Sequence, residues 1–291
     1  MKINKLDNNN NQQKRAFFNF ISKLDNHGYT SFPKDYNVFK KLIDNTKPQI
    51  FIIYDEESII NYFYIVDENL INRTIIQTYD TNHLFSFEEI KKNLDFSNSI
   101  EIGVRDSENN KPKSKIKFNL SNTYNFMELK KENLVDVKNN FNKNNYQKKL
   151  FDIKSDLENL TNIQNECFEN HHGYQKNNPG EIKKELDLLN SDNESYYILG
   201  IIDKNQKWVG YSWSNYNLNS KTAKLSMCGS VKNHRNNGVA TEAIKSSINH
   251  LFKIGCEKIQ LEVDHKNNSA KKIYLEMGFE IYDNLRWYEI I

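Results

Sequence analysis

The sequence predicts an α+β fold laid down twice along a chain of 291 residues. Runs rich in β-branched and aromatic residues form hairpins, at 49–55 (QIFIIYD) with 59–66 (IINYFYIV) and again at 196–202 (YYILGII) with 207–214 (KWVGYSWS). Segments with apolar residues at helical spacing precede each hairpin, and a strand, a helix and a further strand follow it. IFIIYDEESIINYFYIVDEN can be laid beside YILGIIDKNQKWVGYSWSNYN, and SIEIGVRD beside KIQLEVDH. Identity between them is weak, so duplication stands as a hypothesis. A length near two domains of roughly 150 residues fits this division.

In the first half, 15–24 (RAFFNFISKL) and 36–43 (YNVFKKLI) are predicted helices. After the hairpin come a strand at 74–79 (TIIQTY) and a helix at 86–94, which opens on the capping box Ser86-x-x-Glu89. A strand follows at 99–105, with one or two more within 114–129. The Asn run at 8–11 reads as a frayed terminus. The polar, aperiodic stretch around 130–146 marks a boundary, giving domains at 1–135 and 146–291.

In the second half, 154–168 and 179–189 read as helices and 221–231 (KTAKLSMCGSV) as the third strand. The clearest helix is 239–254, with Val239, Ala243, Ile244, Ile248, Leu251 and Phe252 on one face and Gly255 where a helix stop belongs. A strand at 257–263, a helix at 268–277 and a final pair of short strands within 279–290 complete the chain.

Forty basic against 38 acidic side chains leave a net charge of +2, with no basic stripe to grip nucleic acid. Three cysteines (Cys167, Cys228, Cys256) without CxxC spacing argue against a disulfide framework and against a metal site. The first residues lack a signal peptide's apolar stretch, and no run approaches 18 apolar residues, so a soluble cytoplasmic protein is expected.

The chemistry concentrates in the segment Arg235-Asn236-Asn237-Gly238-Val239-Ala240, which joins a strand to a helix. Unpaired N–H groups at a helix start, together with its positive dipole end, make an anion site. Gly238 admits a tight turn and a close phosphate, Ala240 keeps the surface open, and Arg235 adds charge. On its own this could be a simple turn.

The longer run Cys228-Gly229-Ser230-Val231-Lys232-Asn233-His234-Arg235-Asn236-Asn237-Gly238-Val239-Ala240 resembles the strand-plus-loop signature of the GNAT superfamily of acyl-CoA N-acyltransferases. Leu261-Glu262-Val263, Asn267-x-x-Ala270 and Tyr274-Leu275-Glu276-Met277-Gly278-Phe279 resemble its second signature, at the family's spacing. The resemblance is strong over 146–291 and holds only in outline over 1–130. It implies a mixed, mostly antiparallel twisted sheet flanked by helices.

It also implies roles. Residues Arg235, Asn236, Asn237, Gly238, Val239, Ala240 and Thr241 would cradle the coenzyme A pyrophosphate. Cys228, Gly229 and Ser230 would end a strand that splays from its neighbour and pairs with the pantetheine arm, and the Asn267 amide would bond the pantetheine. Tyr274 matches the tyrosine that protonates the departing thiolate, for which phenol and thiol lie within ~2 pKa units.

Glu262 is the candidate base. Alternation along 257–263 turns it away from Ile259, Leu261 and Val263. His171 and His172 read as solvated loop residues between the first two helices of the domain, where the family builds its acceptor wall. Cys228 reads as packing rather than as a nucleophile. The first half has no Arg-x-x-Gly-x-Ala loop, so it is expected to be a degenerate copy without coenzyme binding; a separate α+β fold is the alternative.

The expected activity is an N-acetyltransferase using acetyl-CoA as co-substrate and a primary amine, small molecule or peptide, as acceptor. No metal, nucleic acid or membrane is expected, and the oligomeric state is left open. The alternatives are a catalytically silent acyl-CoA-binding module and the same fold with a longer acyl donor.

Overall fold

A computed structural model describes the chain except for residues 25–31, 34, 47, 81–86, 88–97, 106–116 and 190–193. The chain divides into two compact units, Met1–Tyr124 with Asp283–Ile291, and Asn125–Tyr282.

The first unit holds β1 (Lys2–Lys5), α1 (Asn11–Ile21), α2 (Tyr36–Thr46), β2 (Gln49–Asp55), β3 (Ser58–Glu68), β4 (Arg73–Thr78) and β5 (Ser99–Arg105). Its sheet runs β1-β2-β3-β4-β5 and ends on β12 (Glu280–Ile290), the last strand of the chain. Pairing is antiparallel throughout except between β4 and β5. Phe17, Phe39 and Ile43 of the helices pack on Ile50, Ile52 and Tyr62.

Three expectations change here. The Asn run is ordered: Asn10 Oδ1 accepts hydrogen bonds from the Gln12 and Gln13 amides at 3.0 and 3.1 Å and caps α1. Strand β1 has too little apolar content to be predicted, yet it pairs with β2 at a sheet edge, where lysines are well tolerated. Residues 279–290 form one strand rather than two, because Leu285, Trp287 and Ile290 are all buried and hold it extended along β5. The helix expected at 86–94 lies outside the described residues apart from Phe87, as does the start of the 114–129 reading.

The second unit takes in the end of β6 (Phe118–Lys130), then β7 (Tyr146–Leu150), α3 (Leu157–Phe168), α4 (Pro179–Leu189), β8 (Glu194–Asp203), β9 (Trp208–Asn217), β10 (Thr222–Ser230), α5 (Val239–Lys253), β11 (Lys258–Asp264) and α6 (Asn268–Glu276). Its sheet runs β7-β8-β9-β10-β11-β6, the order of the first unit, and β10 pairs with β11 in parallel as β4 does with β5. Every residue predicted for the apolar face of α5 is buried. These side chains meet Leu225, Ile259, Leu261 and Phe279 in one core and Ile201, Val209 and Tyr211 in another.

Gly278 closes α6 at φ +94°, and a Cβ there would meet the Asn133 carbonyl oxygen at 2.0 Å. A left-handed φ and a backbone clash add. We expect Gly278→Ala to lower unfolding stability by about 2–4 kcal/mol in a urea titration.

Candidate active site

Strands β10 and β11 pair only from Thr222–Lys258 to Leu225–Leu261, although both run on, to Ser230 and Asp264. The register against β9 shifts between Leu225 and Met227, a bulge that re-aims the strand. Beyond it, Met227, Cys228, Gly229 and Ser230 stay paired with Trp213, Ser212, Tyr211 and Gly210 of β9. Their other edge has no β11 partner. The result is an open wedge in which Arg235 Nε donates to the Ser230 carbonyl at 3.5 Å, and such a strand edge accepts an extended chain as an added strand.

After Ser230 the chain makes a short turn (Lys232–His234) and enters α5 through two left-handed residues, Asn236 at φ +62° and Gly238 at φ +71°. No side chain caps the helix at Gly238. The first bond into the helix is Glu242 N–H to the Gly238 carbonyl, 2.8 Å. The amides of Val239, Ala240 and Thr241 precede that ladder, so the helix mouth presents donors suited to an anion. Glu242 is an acid in this first turn. Burial would raise its pKa, but the Lys148 ammonium and the Asn139 amide hold the carboxyl below its usual range.

The polar stretch read as a domain boundary braces this loop. Asn140 Nδ2 donates to the Asn236 carbonyl at 2.6 Å, and the Tyr146 hydroxyl lies 3.1 Å from His234 Nδ1. A Cβ at Gly238 would come within 2.7 Å of the Phe141 amide nitrogen. Nothing in the composition of 130–146 signals these contacts, because Asn and Lys are common everywhere in this chain.

The wedge and the loop open into one cavity of about 580 Å³. Of the predicted residues, Cys228, Gly229, Ser230, Arg235, Asn236, Gly238, Val239, Ala240, Thr241, Asn267 and Tyr274 all line it. Asn267 caps α6, its Oδ1 accepting from the Ala270 amide at 3.1 Å. That use leaves the amide Nδ2 to donate elsewhere. Tyr274 is 6% exposed, with Oη 2.9 Å from Cys228 Sγ at the open strand edge. Burial, reinforced by Cys228, pushes the phenol well above its ordinary value, so it keeps its proton at neutral pH. Burial likewise pushes the Cys228 thiol up to about 11 and the Cys167 thiol to about 12. Neither is a thiolate nucleophile at neutral pH.

Two predicted residues are not brought to the cavity. Asn237 is not in its lining; its Nδ2 donates back to the Arg235 carbonyl at 3.3 Å. Glu262 does alternate away from the apolar set on β11, but it too lies outside the lining, with Oε1 paired to Lys224 Nζ at 2.6 Å. Tyr274 instead packs with the apolar set Ile259, Leu261 and Val263, from which Glu262 alternates away.

Sequence reasoning gave little weight to the wall formed by α3 and its following loop. Glu166, Cys167, Phe168, Asn170 and His171 line the cavity. The His171 ring rests against Phe168 with centroids 4.6 Å apart, and the Tyr174 ring centroid lies 5.7 Å from that of Phe168. Asn165 staples this loop to α3: its Oδ1 accepts from the Tyr174 hydroxyl at 2.7 Å and the Asn177 amide at 2.9 Å, and its Nδ2 donates to the Asn177 carbonyl.

Among the described residues no group of three or more His, Cys, Asp or Glu could hold a metal, and no helix is long and apolar enough to cross a membrane. Residues 157–279 match the family model described as the acetyltransferase (GNAT) family. No curated protein sequence matches the chain. Among solved structures, the fold is similar to a tandem GNAT protein from the clavulanic acid biosynthesis pathway, at TM-score 0.70 and 9% identity, over 99% of this chain and 97% of that one. It is also similar to a GCN5-related N-acetyltransferase from Sphaerobacter thermophilus (TM-score 0.65, 9% identity, 88% and 85% covered). A third is a GNAT-family acetyltransferase from Colwellia psychrerythraea (TM-score 0.63, 12% identity, 100% of both chains). The fold is therefore that of tandem GNAT structures, with residues 157–279 matching the acetyltransferase (GNAT) family model.

Proposed function

We propose that this GNAT domain transfers the acetyl group of acetyl-CoA directly to a primary amine held in the same cavity. The observation that carries the reading is the placement of Tyr274 Oη on Cys228 Sγ, at an unpaired strand edge sharing one cavity with the uncapped mouth of α5.

In this reading the amides of Val239, Ala240 and Thr241, with Arg235 beside them, bind the diphosphate. The open edge of Cys228–Ser230 and the Asn267 amide align the pantetheine arm, and a strand N–H polarises the thioester carbonyl. Holding amine and thioester together removes most of the entropic barrier. Tyr274 gives its proton to the sulfur as the C–S bond breaks. The first unit serves as a copy without the coenzyme loop, and the free cysteines suit a reduced, cytoplasmic setting.

The test is release of free thiol from acetyl-CoA in the presence of a panel of primary amines, small and peptidic. Thiol release that depends on one of them, with an acetylated product by mass, is the expected result. Coenzyme binding with no thiol release across the panel would favour a silent binding module instead.

A further inference from the structure

The cavity contains an imidazole that the assigned machinery does not use. His171 lines the same space as Cys228 and Tyr274. Its main chain is pinned at both ends, the His171 amide donating to the Phe168 carbonyl at 2.8 Å and the Tyr174 amide to the His171 carbonyl at 3.1 Å. Its ring is set against Phe168. Among the described residues no hydrogen bond or ion pair engages either ring nitrogen. Glu262, the base expected from the sequence, is spent on Lys224 outside the lining.

Resting on the acetyltransferase reading above, we propose that His171 is the catalytic base that takes a proton from the acceptor ammonium, so the amine enters along the α3 wall. An amine attacks only through a free lone pair, and a positioned imidazole meets that need near neutral pH. The titratable and charged groups around His171 are Glu166 and Cys167 on α3, Cys228 on β10, Arg235 on the loop, Asp264 at the end of β11 and Tyr274 on α6.

His171 is exposed overall, but partial desolvation of its ring in the cavity pushes the pKa down; the Asp264 carboxylate opposes this and Arg235 adds to it. The ring is therefore neutral, and able to accept, through the physiological range. Glu166 is the other free acid on the wall. Its carboxylate is placed to attract an ammonium to the wall.

The protons balance. The ammonium gives one proton to His171, which passes it to water. The freed lone pair forms the C–N bond, and the C–S electron pair leaves on sulfur. Tyr274 protonates that sulfur and recovers a proton from the newly acylated nitrogen.

The test is the pH profile of kcat at saturating acetyl-CoA and amine, for wild type, His171→Gln, His171→Ala and Glu166→Gln. Wild type is expected to lose activity as pH falls, with a midpoint below the ordinary imidazole value, because protonated His171 cannot accept. His171→Gln should lower kcat about 10²–10³-fold and abolish that plateau, while coenzyme affinity by calorimetry stays at the wild-type value. Added imidazole should restore part of the activity of His171→Ala, which repair of a merely structural defect would not explain.

A His171→Gln protein with wild-type kcat and the same acid limb would overturn the inference while leaving the acetyltransferase reading intact. So would loss of the limb in Glu166→Gln alone. Wild-type protein that binds coenzyme A but turns over no amine would overturn both.

Discussion

Replacing Tyr274 by phenylalanine is expected to lower kcat by about 10²–10³-fold, with coenzyme affinity changed by less than about twofold. The ring is almost fully buried among Ile273, Met277 and Phe279, so phenylalanine keeps the packing and only the hydroxyl is lost. That hydroxyl sits 2.9 Å from Cys228 Sγ, where the strand edge opens. A buried phenol with a raised pKa keeps its proton in the resting site. Burial widens the gap between phenol and thiol, so in the proposed reaction the hydroxyl gives up its proton only as negative charge develops on the departing sulfur. Steady-state kinetics at saturating acetyl-CoA, with calorimetry for binding, checks both halves of the expectation. Loss of affinity rather than of kcat would make Tyr274 a binding residue.

The second large effect is expected at Gly238. Its φ of +71° costs an L-residue about 1–2 kcal/mol, and an added Cβ would press on the Phe141 amide nitrogen at 2.7 Å and Asn140 Oδ1 at 2.8 Å. Neither neighbour yields easily, since Asn140 is bonded to the Asn236 carbonyl in the loop itself. Gly238→Ala should therefore displace the brace and tilt the amides of Val239 and Ala240. We expect coenzyme affinity to fall at least about tenfold, close to 1.4 kcal/mol, with the fold retained by circular dichroism. Unchanged affinity would mean that the helix mouth does not bind the diphosphate.

Much of the site was legible because its chemistry sits in contiguous segments. A glycine at a strand–helix junction, an asparagine at a helix cap and a tyrosine seven residues on are local patterns, and all three line one cavity. The hairpins and α5 were equally plain, since period-2 and period-3.6 patterns are local too. The rest depends on contacts between distant parts of the chain. The alternation that turned Glu262 from the core was read correctly, but alternation cannot tell which partner waits on the other face; Lys224 does. The brace at 139–146 is polar and looked like a spacer, because side-chain amides bonding to a remote loop leave no periodic trace. His171 reads as a solvated loop residue and is exposed; what the sequence could not show is that the Phe168 ring and the Asn165 staple set it at the cavity's rim. The final strand shows the same limit. Leu285, Trp287 and Ile290 announce a buried strand, but not that it would complete the sheet of the first unit.

The most direct trial of the diphosphate site is a calorimetric titration of the intact chain with coenzyme A, repeated with pantetheine, which lacks the phosphates. The expected outcome is one saturable site for coenzyme A and markedly weaker binding of pantetheine. No heat with coenzyme A, or equal affinity for both, would contradict the assignment of the α5 mouth.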